Sequence, residues 1–293
     1  MEEHERTTGH LAVIGLGAMG GGMAHRLLES GFRLTVHNRT PRKAEPLVER
    51  GATYACDAAE AVAGHRVVLL SLSDEQAVDE VLFDQVAPAL ERGGLVIDTS
   101  TVSPGYARAA AERLAALGLR RVEACVVGNP LQARKGELRV FTAGPQADAE
   151  EVRDVLDALG GESVHFGAPG SATTVKLVLN LLLGAQVASL AEAVEYGARA
   201  GIDRDRLLAS IAGSGFSSAV MRFRADLMRS AQYEPAYFRA SLMEKDLRLA
   251  IEAAERSGVE LPVLKTVRDR FAAVVAAGDG DKDAAVVVEH TAH

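Results

Sequence analysis

The chain has 293 residues, 48% of them hydrophobic, and a formal net charge of −8. That is enough for a large core and for more than one domain, and no Lys/Arg run exceeds two residues, which argues against nucleic-acid binding. Two distant cysteines (Cys56 and Cys125), no His pair at metal-ligand spacing and an acidic start at 1–6 predict a reduced cytoplasmic protein without disulfides, bound metal or signal peptide.

The first element reads as a short buried strand, 11–15, that runs straight into Gly15, Gly17 and Gly20 and then into a helical pattern over 18–31. In a dinucleotide site the first glycine permits the tight turn, the second lets backbone approach a pyrophosphate and the third lets helix and strand pack closely. The helix N-terminus then offers free N–H groups to the phosphates. A second strand, 33–37, ends before Asn38, Arg39 and Thr40. An NAD site usually carries an acidic residue here for the ribose diol. Asn38 is neutral, and a guanidinium such as Arg39 pairs with a 2′-phosphate through two donors. The plainer alternative makes Arg39 a solvated residue and Thr40 with Pro41 a helix cap. The balance favours NADP(H).

Further strands read at 66–72, 94–98, 120–124, 138–143 and 163–166, and helices at 41–50, 75–82, 103–117 and 148–159. This alternation predicts a Rossmann-like, doubly wound, mostly parallel sheet over 1–166. Gly167 to Gly170 breaks the pattern, and 167–293 reads as an all-α domain. Its helices are expected at 170–200, 204–212, 217–230, 239–257 and 262–277; the tail from Gly278 is acidic, then apolar, then polar, with no element assigned. The apolar run 177–191 is interrupted by Asn180, Gly184, Gln186 and Ser189, and reads as too short and too polar to span a membrane.

Within that apolar helix sits Lys176, with Asn180 one turn later on the same face. A snorkelling lysine at a helix start is the plain explanation. Its place just after a glycine turn and a dinucleotide domain favours chemistry instead. Lys245 and Asp246 open the amphipathic part of another helix, where, taken alone, an ordinary charged helix start is the better explanation.

Four stretches together resemble the β-hydroxyacid dehydrogenase family, which includes 3-hydroxyisobutyrate dehydrogenases, tartronate semialdehyde reductases and glyoxylate/succinic semialdehyde reductases. They are Gly15 to Gly20 with Met23 and Ala24; Asp98 to Thr101 followed by Pro104; Gly167 and Gly170 leading to Lys176 and Asn180; and Lys245-Asp246 with Leu249 and Ala250. The resemblance covers nearly the whole chain. It implies Lys176 as the acid/base, Asn180 on the substrate, Thr101 on nicotinamide or substrate, Lys245 and Asp246 along the cofactor edge, and dimerisation through the helical domain. The expected cofactor contacts are Gly15, Leu16, Gly17, Ala18, Met19, Gly20, Asn38, Arg39, Thr40, Leu72, Ser73, Thr101, Lys245 and Asp246. The expected substrate contacts are Thr101, Val127, Gly128, Asn129 and Asn180.

One segment departs from the family. Where members read Asp-Ala-Pro-Val-Ser-Gly-Gly, this chain reads Glu123, Ala124, Cys125, Val126, Val127, Gly128, Asn129. The family's serine hydroxyl and following N–H groups bind the substrate carboxylate. Val127 cannot donate, leaving Gly128 N–H and the Asn129 amide to compensate in part. The sequence therefore predicts an NADP(H)-dependent oxidoreductase of a larger or less polar carbonyl compound, assembled as a homodimer or homotetramer. A lysine with an ordinary pKa of about 10.4 is already the protonated acid that carbonyl reduction needs. Two alternatives stand beside this reading: an imine reductase, which Lys176 does not favour, and a redox-inert NADPH-binding module, which has no need of Lys176 and Asn180.

Overall fold

The computed structural model describes residues 9–291. The chain divides after Lys176 into two compact units.

The first unit is built on eight strands: β1 (His10–Ile14), β2 (Arg33–His37), β3 (Thr53–Tyr54), β4 (Val67–Leu70), β5 (Leu95–Asp98), β6 (Arg120–Val127), β7 (Arg139–Ala143) and β8 (Ser163–His165). They form one sheet in the order β3-β2-β1-β4-β5-β6-β7-β8, and only the β6–β7 pair is antiparallel. Every residue of β4 and β5 is buried, as expected where helices cover both faces of a parallel sheet. One face packs Leu11, Val13, Leu34 and Ile97 against Met23 and Leu27; the other packs Ile14, Val68, Leu70 and Val96 against Val78 and Leu82. The strand order reverses direction at β1, between β2 and β4. Ligands of open α/β sheets bind beyond the carboxyl ends of the strands at such a switch point. Because β7 runs antiparallel to β6, its first residues lie at that same end.

The expected Rossmann-like sheet is present, with differences of detail. β3 and the five-residue helix Ala58–Val62 were not expected, because elements this short carry too few residues to show a period. The segment expected as one helix over 41–50 is a turn of 3₁₀ helix, Pro41–Lys43, followed by Glu45–Val48. A helix at Pro130–Lys135 was also missed although its signals stand in the sequence. Asn129 caps it, Gln132 completes a reciprocal capping box, Pro130 opens it and Gly136 closes it in the left-handed region at φ 71°.

The long helix Ser171–Arg199 begins in the first unit and continues into the second. The second unit adds helices Arg204–Gly213, Ala219–Ser230, Ala240–Arg256 and Pro262–Ala276, and its core gathers Val187, Leu190, Met243, Leu247 and Phe271. The tail is not irregular: Ala284–His290 forms 3₁₀ helix, and Val286, Val287 and Val288 are buried. Asp283, fully buried, fixes it. Its carboxylate pairs with buried Arg224 and accepts N–H bonds from Tyr237 (3.0 Å), Phe238 (3.0 Å) and Ala285 (2.9 Å). The length of the long helix corrects the expectation that its apolar run is too short for a membrane. At 29 residues, with a mean hydropathy of 1.7 in its most apolar window, it is long and apolar enough to cross a membrane by length and composition; 44% of that window is buried within the protein.

Candidate active site

The glycine loop has the shape its spacing predicts. Gly15 sits at φ 93°, and a Cβ there would lie 2.2 Å from Ser71 O. A Cβ on Gly20 would lie 2.0 Å from Gly15 O, so this helix meets the strand at a distance only glycine permits. Gly17 is the opposite case: nothing stands within 4 Å of its missing Cβ. Two glycines are demanded by the protein itself, and the third leaves open space where a pyrophosphate approaches the helix Ala18–Glu29. The loop therefore fits a dinucleotide.

Asn38 has a structural task. Its Oδ1 accepts Leu16 N–H at 2.8 Å, and its Nδ2 donates to Thr40 O at 3.0 Å. It thereby ties the glycine loop to the end of β2, and Leu16 N–H is spent on it. Arg39 and Thr40 are exposed, and Thr40 makes no side-chain cap to the following turn. Thr40 does stand at the N-cap position with Pro41 opening the turn and Arg39 exposed beside it, as the plainer alternative has it, although no side-chain bond completes the cap. Arg42 and Lys43, also exposed, add two cations to the same turn, which sequence reading did not single out.

Beyond β4 and β5, Leu72 N–H donates to Ser100 Oγ (3.0 Å) and Thr99 Oγ1 to Leu70 O (2.7 Å). These bonds hold the two strand ends together around buried Thr101. Ser73 is exposed and donates to Asp74 at 2.7 Å.

A buried polar group whose pairing sequence reading did not foresee lies on one face of β6. Alternate residues Arg121, Glu123 and Cys125 share that face. All three are buried, at 5%, 1% and 1% exposure. Arg121 donates to Asp98 at 2.8 Å and to Ala107 O at 3.2 Å. Burial opposes its charge, but neighbouring Asp98 and Glu123 outweigh this and raise its pKa. Glu123 accepts three bonds at the start of the long helix: from Gly170 N–H, from Thr173 N–H (3.1 Å) and from the Thr173 hydroxyl (3.1 Å). A carboxylate accepting the first free N–H groups of a helix is a strong cap, favoured by the helix dipole. The next turn carries Lys176. Cys125 Sγ lies 3.6 Å from Thr173 Oγ1; burial pushes its thiol up to about 11, with Lys176 acting in the opposite direction through its charge. Lys176 is half-buried and stands within electrostatic reach of this face.

Val127 follows on the same face, half-buried and paired in register with Arg139 of β7. Asn129 is committed to its cap: Oδ1 accepts Leu131 and Gln132 N–H at 3.0 Å each, and its own N–H donates to Gln132 at 3.0 Å. The two compensating donors expected after Val127 thus reduce to Gly128 N–H and the Asn129 Nδ2.

In the second unit Asn180, 7% exposed, donates Nδ2 to Asp246 at 2.6 Å, and Lys245 Nζ lies 3.2 Å from the other Asp246 oxygen. Since a carboxylate only accepts, this contact fixes which way the Asn180 amide faces. Sequence reading named all three residues, and the structure joins them in one group.

Two family models match consecutive parts of the chain: the NAD-binding domain of 6-phosphogluconate dehydrogenase over residues 10–167, and the NAD-binding domain of NADP-dependent 3-hydroxyisobutyrate dehydrogenase over 170–291. The chain is 33% identical to L-threonate dehydrogenase of Cupriavidus necator, covering 96% of this chain and 95% of that protein. It is 31% identical to glyoxylate/succinic semialdehyde reductase 1 of Arabidopsis thaliana, covering 94% and 96%. The chain belongs to the β-hydroxyacid dehydrogenase family. Among solved structures, a 3-hydroxyisobutyrate dehydrogenase from Salmonella typhimurium matches with a TM-score of 0.89 at 29% identity, covering 96% of this chain and 99% of that one. An imine reductase of Streptomyces aurantiacus is more distant, with a TM-score of 0.64 at 26% identity over 97% and 99%. As a member of this β-hydroxyacid dehydrogenase family, the protein is an NAD(P)-binding oxidoreductase acting on CH–OH or C=O groups.

Proposed function

We propose that the protein is an NADPH-dependent carbonyl reductase, or in reverse an NADP-dependent dehydrogenase, with Lys176 as the acid/base. The observation that carries this reading is the Glu123 cap on the first turn of the long helix, one turn before Lys176. A nicotinamide held at the glycine loop would supply the hydride for reduction of a carbonyl, or accept it in oxidation. Lys176 gives a proton to the oxygen that becomes the hydroxyl, or takes it back in the reverse direction. Asn180, held by Asp246, orients the substrate, and Thr101 contacts substrate or nicotinamide. Arg39, helped by Arg42 and Lys43, receives the 2′-phosphate, which is the basis for choosing NADP(H). Leu72 and Ser73 are further cofactor contacts in the sheet unit.

This assigns residues 1–166 to cofactor binding and 167–293 to substrate binding and assembly. A homodimer or homotetramer in the cytoplasm is the form we expect. Val178, Leu182 and Tyr196 support assembly: they are 49%, 57% and 79% exposed and recur on one stripe of the long helix. The names of the relatives point to small acidic carbonyl compounds such as succinic semialdehyde and glyoxylate.

The test is NADPH oxidation across aldehydes, keto acids and cyclic imines, with Lys176→Ala beside the wild type. The variant is expected to bind NADPH normally and to lose turnover by about 10²–10⁴-fold, the usual contribution of a positioned proton donor. Lys176→Arg does not rescue, because a guanidinium has another shape and keeps its proton. Retention of more than about a tenth of turnover, under about 1.4 kcal/mol of barrier, removes Lys176 from this role. Preferential turnover of imines would put the imine-reductase reading first. No turnover of any of these substrates by wild type, with NADPH binding intact, would favour the inert module.

A further inference from the structure

We infer that Arg139 is the specificity-determining residue that binds an anionic group of the substrate, in place of the hydroxyl that Val127 lacks. The inference rests on the carbonyl-reductase reading and narrows its substrate class to oxo compounds carrying a carboxylate, phosphonate or phosphate remote from the reacting carbonyl.

The register of the sheet carries the argument. Arg139 is the first residue of β7 and is paired with Val127, the last residue of β6. Residues paired across an antiparallel ladder project to the same face, with Cβ atoms about 4.5–5.5 Å apart. Phe141 is likewise paired with Cys125, and Ala143 with Glu123. The guanidinium therefore belongs to the face that bears Glu123 and Cys125, and so to the face next to the first turns of the long helix. Within that face it stands one step beyond the level of Cys125, the residue within electrostatic reach of Lys176. Because β7 is antiparallel, this step lies towards the carboxyl ends of β1, β4, β5 and β6, where ligands of such sheets bind.

The charge is available there. Arg139 is exposed, and among the described residues no carboxylate forms an ion pair with it. By contrast, Arg120 and Arg121, on the neighbouring strand, are each held by carboxylates. The alternative donors near Val127 are reduced, since Asn129 spends its backbone N–H and its side-chain oxygen on the cap of the next helix. A guanidinium offers a planar fork to a carboxylate or phosphonate and reaches farther than a serine hydroxyl. One strand step of two residues is about 6.8 Å. An anion at the Arg139 level therefore lies one such step beyond the Cys125 level of the sheet, at its outer end. A semialdehyde acid of four or five carbons can reach such a group while its carbonyl lies deeper, which glyoxylate, with carbonyl and carboxylate adjacent, cannot.

The experiment compares kcat and KM of wild type, Arg139→Ala and Arg139→Lys for glyoxylate, succinic semialdehyde and the uncharged aldehyde butanal, each with NADPH. Arg139→Ala is expected to raise KM for succinic semialdehyde by about tenfold or more, the loss of a charge-assisted contact, with kcat changed far less. Butanal kinetics and the KM for NADPH stay unchanged, and Arg139→Lys recovers part of the affinity. Rising ionic strength weakens wild-type binding of the semialdehyde acid and leaves Arg139→Ala insensitive. Equal effects of Arg139→Ala on butanal and succinic semialdehyde, or no effect on either, overturn the inference. Failure of the underlying reading looks different: Lys176→Ala then retains turnover on every substrate, whatever Arg139 does.

Discussion

The two units each bury an arginine against a carboxylate, and the two pairs do different work. In the helical unit, Arg224 and Asp283 join the tail to its helices, and Asp283 receives four donors. In the sheet unit, Arg121 bridges Asp98 and the neighbourhood of Glu123, and Glu123 caps the helix that bears Lys176. Buried charges are costly unless every partner is supplied, so each group is a place where the structure is held in one arrangement. The chemistry of the two is alike. What differs is the element each one fixes: a chain terminus in one, the turn below a reactive lysine in the other.

The sharpest test of that comparison is Asp283→Ala. It leaves Arg224 charged and buried and frees the N–H groups of Tyr237, Phe238 and Ala285. Breaking such a pair is expected to cost about 3–5 kcal/mol of stability, read by urea unfolding. Hydrogen exchange is expected to quicken in 284–290, while the protein that remains folded keeps its turnover.

Glu123→Asp probes the other side. It keeps the charge but withdraws the carboxylate by one methylene, which lengthens the contacts to Gly170 and Thr173. Stability is expected to fall by about 1.5–3 kcal/mol, the worth of hydrogen bonds to a charged group. Turnover falls as well, with the NADPH KM unchanged and the pH profile of kcat displaced, because Lys176 moves with its helix turn. If stability falls while turnover and pH profile hold, Glu123 is a staple of the Asp283 kind and the contrast between the units disappears.

Arg39 extends the comparison to an exposed charge. Arg39→Ala is expected to leave stability within about 0.5 kcal/mol, as for surface substitutions generally. It raises the NADPH KM by an order of magnitude or more, matching about 1.5–3 kcal/mol for a charge-assisted contact, and barely alters NADH use. Equal effects on both cofactors, or a wild type that prefers NADH, would remove the 2′-phosphate assignment.

The sequence by itself determined the parts that local spacing encodes. The glycine loop was legible because its spacing lies within six residues, and the structure shows the forbidden Cβ positions at Gly15 and Gly20. The alternation of strands and helices, and the long helices of the second half, were legible because amphipathic periods repeat over many residues. The Asn129 cap was written in the sequence too, through Gln132, Pro130 and Gly136, although it was not read.

Other features depended on residues far apart in the chain. Glu123 and Thr173 are fifty positions apart, and nothing local marks Glu123 as a helix cap. Asn180 and Asp246 are sixty-six apart and Arg224 and Asp283 fifty-nine, so their pairings exist only once the helices pack. The tail Val286 to Val288 shows neither strand nor helix period, and its place became evident only when the helical core covered it. Arg139 gained its meaning from antiparallel register alone: the strand's direction brings a surface-type residue to the end of the sheet where ligands bind. Periodicity records which side of an element is apolar; it does not record which distant side chain will meet a buried charge, and that is settled by packing.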